Sequence, residues 1–414
     1  MHLYTLPLIF ALIGLALYVV LAGADFGAGV WQLGSGSGPT GTRLRDFAHH
    51  AMAPVWEANH VWLIFVLTVT WTAYPTAFAS IATTLTVPLF IALVGIIIRG
   101  AAYALRAGTS APRELRAVDA ASSLSSLLSP FALGAAIGGI ASRRVPVGNA
   151  TGNLITSWLN PTSILIGTLA VATCAYLAAV YLAADAARHK DDELAQRFRA
   201  RALGAGLLAG ALALAGLVIL RTDARPLADR LLAGPATAAL AVSIVGGLTT
   251  LVLVARRRFE PARYTAALAV AAIIAGWAIA QQPDLLPGLT IHQAAASHDT
   301  LVAITVAIVA GGLLLFPSLA LLFRLTLGGR LGHADNSAAS PANVQPPILS
   351  AASPGIYARL AAALLLIGVG MLTVADAGWA HALGVLALLA FIVVGFLAAT
   401  PAQIAAEQHK TPDA

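Results

Sequence analysis

Charge is what this sequence has little of. Only 10% of its 414 residues are Asp, Glu, Lys or Arg, against about 25% in soluble domains. Hydrophobic residues make up 59% of the chain, and the mean hydropathy is +0.83. That scarcity excludes a water-soluble globular protein and places the chain in a membrane. Cysteine is scarcer still, with a single residue, Cys174, inside an apolar run. One thiol excludes an internal disulfide, a CxxC pair, a CxxCH haem-attachment site and a cysteine metal cluster. P-loop, GxSxG and HExxH strings are missing as well, so the chain carries no catalytic motif of the soluble type. The excess of 24 bases over 18 acids marks cytoplasmic loops in a polytopic protein and does not point to nucleic acid.

What is there is a succession of apolar runs near the roughly 20 residues needed to cross a hydrocarbon core of about 30 Å. Eleven are read: 6–31, 55–73, 76–98, 117–141, 162–184, 203–220, 236–255, 265–280, 300–323, 360–374 and 379–399. The runs are continuous, without the alternation of barrel strands, so they predict helices. The loops test the segmentation, because Lys and Arg collect on the cytoplasmic side. With the N-terminus outside, nineteen of the 24 bases fall inward and five (Arg143, Arg144, Arg221, Arg225, Arg230) fall outward. Arg99 counts here as an inward loop residue. The alternation predicts an odd helix number with the C-terminus in the cytoplasm. Ala22-Gly23-Ala24 resembles a signal-peptide cleavage site, but no base precedes the run and the run continues to Trp31, so a first spanning helix is the expectation.

An ionisable group inside a span is costly, about 2.5 to 3.5 kcal/mol for a central Asp on the insertion scale, and therefore needs a reason. Two acids stand out: Asp25 in Gly23-Ala24-Asp25-Phe26-Gly27-Ala28-Gly29, and Glu57 in Pro54-Val55-Trp56-Glu57-Ala58-Asn59-His60-Val61-Trp62. The small residues around Asp25 permit close helix approach, so the two carboxyls are expected to share one hydrated file near the inner face and to carry protons. The plainer readings are a carboxylate at a helix start for Glu57 and a satisfied interhelix hydrogen bond for Asp25. Glu57 and His60 also spell E-x-x-H, but a di-iron bundle needs a second copy and the sequence has none. Of the ten histidines only His60 lies inside a span, so this chain alone is expected to bind no haem and no metal. Trp56, Trp62, Trp71 and Tyr74 read as interfacial anchors more readily than as an electron or quinone path.

These strings resemble subunit II of the cytochrome bd-type quinol oxidases, including the cyanide-insensitive branch. The family's G-F-D-x-G-x-G is matched by residues 23–29 and its P-x-W-D-G-N-E/Q-V-W-L by residues 54–63. Supporting matches are Arg99-Gly100 with Arg106, Leu159-Asn160-Pro161, Tyr181-Leu182 and Pro287-Gly288-Leu289-Thr290-Ile291. The sequence departs from the pattern at Ala24, Glu57, Ala58 and His60, and at His292-Gln293-Ala294, where the family carries an acid.

The resemblance implies an all-α membrane protein of two four-helix bundles plus a peripheral helix. The partner it implies is a subunit I that holds the b and d haems, oxidises quinol and reduces oxygen to water. It also implies proton-relay roles for Asp25 and Glu57, flanked by Trp56, Asn59, His60 and Trp62. A quinone or lipid and a small accessory helix can accompany such a complex. The expected organisation is a nine-helix core over 1–330, a Pro/Ser-rich linker over 331–356, an extra helical hairpin over 357–400 and a polar tail over 401–414. The expected setting is the bacterial cytoplasmic membrane. The competing function is a proton-coupled transporter or permease component, in which the same acids would move protons against a solute without haem.

Overall fold

The computed structural model describes residues 2–36, 38–52, 56–108, 112–327, 356–374 and 378–399. Side chains are described for most of these residues, with Trp56 and Glu57 among the exceptions. The chain divides into two compact units, Met1–Arg324 and Leu325–Ala414.

The first unit opens with a 3-10 turn, Leu3–Thr5, and continues through α1 (Leu6–Leu33), α2 (Pro39–Met52), α3 (Trp56–Ala73), α4 (Pro75–Thr84), α5 (Thr86–Gly108) and α6 (Pro112–Ala141). Then come α7 (Pro161–Arg188), α8 (Asp192–Asp223), α9 (Arg225–Leu231), α10 (Pro235–Ala255) and α11 (Phe259–Gln281). A short antiparallel hairpin, β1 (Asp284–Leu286) with β2 (Leu289–Thr290), precedes α12 (Ile291–Ala294) and α13 (His298–Leu327). Helix starts are marked in the sequence. Proline stands in the first turn of α1, α4, α7 and α10, where its missing N–H costs nothing. The Asn160 side chain caps α7 by accepting from the Ser163 N–H at 3.0 Å, and Asp191 caps α8 by accepting from the Leu194 N–H at 3.1 Å. Helix ends are closed by wrapped turns. The Asp191 N–H returns to the Ala186 carbonyl and the Arg258 N–H to the Leu253 carbonyl, with Lys190 and Arg257 in the left-handed region.

α1, α3, α5 and α6 pack as one bundle, and α7, α8, α10 and α11 as a second; α1 and α6 both lie against α7, which joins the two. α13 leaves most of its length exposed, in keeping with a peripheral helix. Among the described residues seven helices are long and apolar enough to cross a membrane, or eight if the pair α4 and α5 counts as one span. Over their described residues the eleven apolar runs fall in helices, with the run at 76–98 broken at Leu85, but the expected count of eleven crossings is not reached among the described residues: 59–73, 359–371 and 378–394 are helical, apolar and shorter. The run at 76–98 is not one straight span, because α4 and α5 meet at an angle of 82°.

One end of the first unit is tied together by polar groups. The Asp223 carboxylate accepts from both Nη atoms of Arg144, at 2.9 and 2.6 Å, and from the hydroxyl and N–H of Thr162. Arg143 reaches Asp284 of the β-hairpin at 3.1 Å. At the same end the Tyr74 hydroxyl accepts from the Leu8 N–H and donates to the Tyr4 carbonyl. That bonding makes Tyr74 a structural tie, while Trp71 is 65% exposed and stacks on Phe78, as a lipid-facing aromatic does.

The second unit is a hairpin of α14 (Ile356–Val374) and α15 (Gly378–Ala399). Gly368 lets the helices close on each other, since a methyl group there would meet the Leu388 side chain and the Gly384 carbonyl. The expected linker, up to residue 355, and the expected tail lie outside the described residues; Ile356 already belongs to α14.

Candidate functional site

Small residues bring α1 into contact with its neighbours at the height of Asp25. A Cβ on Gly27 would collide with the Cys174 carbonyl of α7, and one on Gly29 with the Ser126 side chain of α6 and Nη1 of Arg99. The glycines thus place the α1 backbone directly on α7 and leave room on the other side for a large cation. That cation is Arg99 of α5.

Arg99 was expected in a cytoplasmic loop. It lies instead well inside a helix, 2% exposed, against a fully buried Asp25. Its Nε donates to one carboxylate oxygen at 2.9 Å, and its Nη2 donates to the other at 2.6 Å and to the Asp25 backbone carbonyl at 2.7 Å. Nη1 donates to the Ser126 hydroxyl, which itself donates to the Ser122 carbonyl at 2.7 Å. The guanidinium lies 5.3 Å from the centre of the Phe26 ring. All three nitrogens of the fork thus donate, to a carboxylate, a carbonyl or a hydroxyl, which is what an ion pair removed from water requires.

The pair sits in a wider polar seam. Ser122, Ser126 and Ser129 recur along one face of α6, with Ser126 and Ser129 fully buried. Ser129 donates to the Ala92 carbonyl of α5 at 3.3 Å, where Gly95 leaves it space. From α3, the buried Asn59 donates to the Leu21 carbonyl of α1 at 3.3 Å. The half-buried His60 ring stands edge to face with Tyr18 at 6.2 Å and with Phe26 at 6.1 Å. The Tyr18 hydroxyl is buried without a hydrogen-bond partner. Trp62 packs on the cluster of Tyr18, Ala22, Phe26 and Cys174.

Of the residues singled out in the sequence, then, Asp25, Asn59, His60 and Trp62 converge on one junction of α1, α3, α5, α6 and α7. Glu57 belongs to the first turn of α3, one turn ahead of His60; its side chain and that of Trp56 lie outside the described residues. Arg99, read in the sequence as a loop base and a supporting match, and the α6 serines are the members that sequence reasoning did not assign to the site. Two signals pointed to them: a buried aspartate in a span demands a counter-charge, and the serines repeat at helical spacing.

Residues 3–326 match the family described as cytochrome bd terminal oxidase subunit II. Among solved structures the chain is similar to the bd oxidase from Geobacillus thermodenitrificans, at 28% identity and a TM-score of 0.62, with 79% of this chain and 99% of that chain covered. No curated protein matches the chain significantly.

Proposed function

We propose a function from one premise: this chain belongs to the cytochrome bd terminal oxidase subunit II family. It is accordingly a membrane subunit of an oxidoreductase, and the family implies a subunit I partner that carries the haems. In that assembly the haems supply electron transfer to oxygen, and the contribution of this chain is to hold subunit I and to bring cytoplasmic protons toward it. The observation that supports a proton role is the buried seam itself: a fully buried carboxylate, a matching cation, a line of hydroxyls and an unpartnered tyrosine hydroxyl, all inside a bundle of apolar helices. A buried polar atom without a partner is where an ordered water is held, and a chain of such waters and hydroxyls conducts protons.

In this reading Glu57 at the start of α3 takes the proton first, and Asp25 passes it on. Both Asp25 oxygens are engaged by Arg99, so the carboxylate accepts a proton only as the guanidinium yields one of them. Ser126 already engages Nη1 and holds the guanidinium while it does so. Asn59 and His60 keep α3 against α1, and Trp62 packs on the cluster beside them. The orientation that serves this route has the N-terminus outside and the C-terminus in the cytoplasm. With Arg99 removed from the loop bases, the bias behind it is eighteen to five. A permease would need no haem partner, and family membership favours the oxidase.

The test is oxygen consumption by the assembled oxidase. Glu57→Gln and Asp25→Asn are each expected to slow turnover about tenfold or more, since positioned proton transfer contributes on the order of 10²–10⁴-fold, with haem absorbance unchanged. The neutral double variant Asp25→Asn with Arg99→Gln removes the stranded cation and should remain slow. Unchanged turnover in Glu57→Gln and in the double variant would overturn the relay and leave a scaffold for subunit I.

A further inference from the structure

We propose that Arg201 of α8 forms a seat for the phosphate of an anionic phospholipid head group, walled by Trp31 of α1 and by Phe198. The guanidinium lies 5.5 Å from the Trp31 ring centre and 5.6 Å from that of Phe198. Trp31 is fixed in that position, because its Nε1 donates to the Ala175 carbonyl at 2.8 Å. Among the described residues, Nη1 of Arg201 is buried without a hydrogen-bond partner and no acid pairs with Arg201. Neighbouring bases are matched differently: Arg43 pairs with Asp191 and Glu193, Arg188 with Glu260, and Arg197 with Glu193, while Arg199 caps α10 through the Val254 and Ala255 carbonyls. Arg201 is thus a cation set against two rings, with a donor that no described group of the protein takes.

Its height in the membrane indicates what that something is. Arg201 and Arg221 bracket nineteen uninterrupted apolar residues of α8, 202–220. At a rise of 1.5 Å per residue they extend about 28 Å, close to the hydrocarbon thickness of about 30 Å. Arg201 therefore stands where acyl chains give way to head groups, and phosphates are the anions found at that level. The surrounding end of the chain is cationic, with Lys190, Arg197, Arg199, Arg256, Arg257 and Arg258 close in sequence to the same helix ends, which draws anionic lipid in preference to zwitterionic lipid. The planar fork of an arginine suits a phosphate in two-point contact.

The experiment uses the whole oxidase complex, incorporated into nanodiscs of phosphatidylcholine alone or doped with phosphatidylglycerol. It is then exchanged into detergent, and the phospholipid retained per complex is counted by native mass spectrometry. The wild type is expected to keep phosphatidylglycerol, and Arg201→Gln to keep about fivefold less, the loss corresponding to one basic side chain at the membrane surface. Arg258→Gln removes a base of the same region outside the seat and is expected to retain lipid as the wild type does. Should Arg201→Gln fail to assemble, Arg201→Lys, which keeps charge without the planar stacked fork, and Trp31→Leu, which removes one wall, are both expected to show reduced retention. Equal retention in wild type and seat variants, or an equal loss in Arg258→Gln, would overturn the proposal. Displacement of the retained lipid by inorganic phosphate at moderate concentration would overturn the lipid assignment in favour of a free anion.

Discussion

Arg99→Leu is expected to destabilise the assembled protein by about 3–5 kcal/mol, because it takes from a buried carboxylate the cation that donates to both of its oxygens. Asp25 is fully buried, and Arg99 supplies the donors to both of its oxygens and to its backbone carbonyl. Asp25 has no exposed surface through which bulk water could take their place. Asp25→Leu strands the guanidinium instead and is expected to do similar damage, relieved in part by Phe26 and Ser126, which remain as partners. A double variant in which both are replaced by uncharged residues of similar volume should recover most of the loss, since exchanging a whole buried pair for apolar packing is often neutral or favourable. The measurement is the thermal unfolding midpoint in detergent, together with the yield of haem-loaded complex. Strong non-additivity is the expected signature. Single variants as stable as the wild type, or a double variant as unstable as the sum of the singles, would show that the pair does not hold the bundle.

The same pair shows where sequence reading reached and where it stopped. The motif around Asp25 was legible because a carboxylate in an apolar run is costly, and its glycines announced close packing. Gly27 and Gly29 do make that approach, one against α7 and one against Arg99 and Ser126. Arg99 was not legible by the rule applied to it. Counting bases toward loops assigns every Lys and Arg to the surface, and the rule has no means of recognising a base whose counter-charge comes from a helix 74 residues earlier. The wider lesson is electrostatic: one intramembrane acid should prompt a search for one intramembrane base before either is given a proton-carrying role.

The bend between α4 and α5 is a second instance. The run at 76–98 reads as one span by hydropathy, and the chain breaks it at Leu85. Pro88 stands three residues beyond the break, in the first turn of α5, where it cannot donate back to Thr84. Thr83 and Thr86 turn their hydroxyls onto the Ala79 and Ala82 carbonyls at 2.7 Å, which satisfies backbone acceptors at the break. The signal was a proline within an apolar run. Hydropathy is blind to it because proline interrupts hydrogen bonding without adding polarity.

Gly27→Ala is expected to be the most damaging methyl that can be added at any described glycine. An alanine Cβ at this position meets the Cys174 carbonyl oxygen and carbon of α7 and lies 2.7 Å from the Ala178 Cβ. The obstacle is backbone and a side-chain root, neither of which can rotate away, so α1 and α7 must separate. Overpacking of an ordinary core costs about 1–3 kcal/mol, where side chains can yield; a contact with backbone belongs at the upper end of that range or above it. The displacement also reaches the seam. Asp25 is two residues from Gly27 on the same helix, and moving α1 away from α7 disturbs its fit to Arg99 on the opposite side. Gly210→Ala of α8 provides the control: a methyl there meets nothing within 4 Å, and relief of glycine's helix penalty of about 1 kcal/mol should make it neutral or slightly stabilising. Thermal unfolding and complex yield are read for both. If Gly27→Ala matches Gly210→Ala, the close approach of α1 to α7 does not govern assembly, and the glycines of residues 23–29 need another explanation.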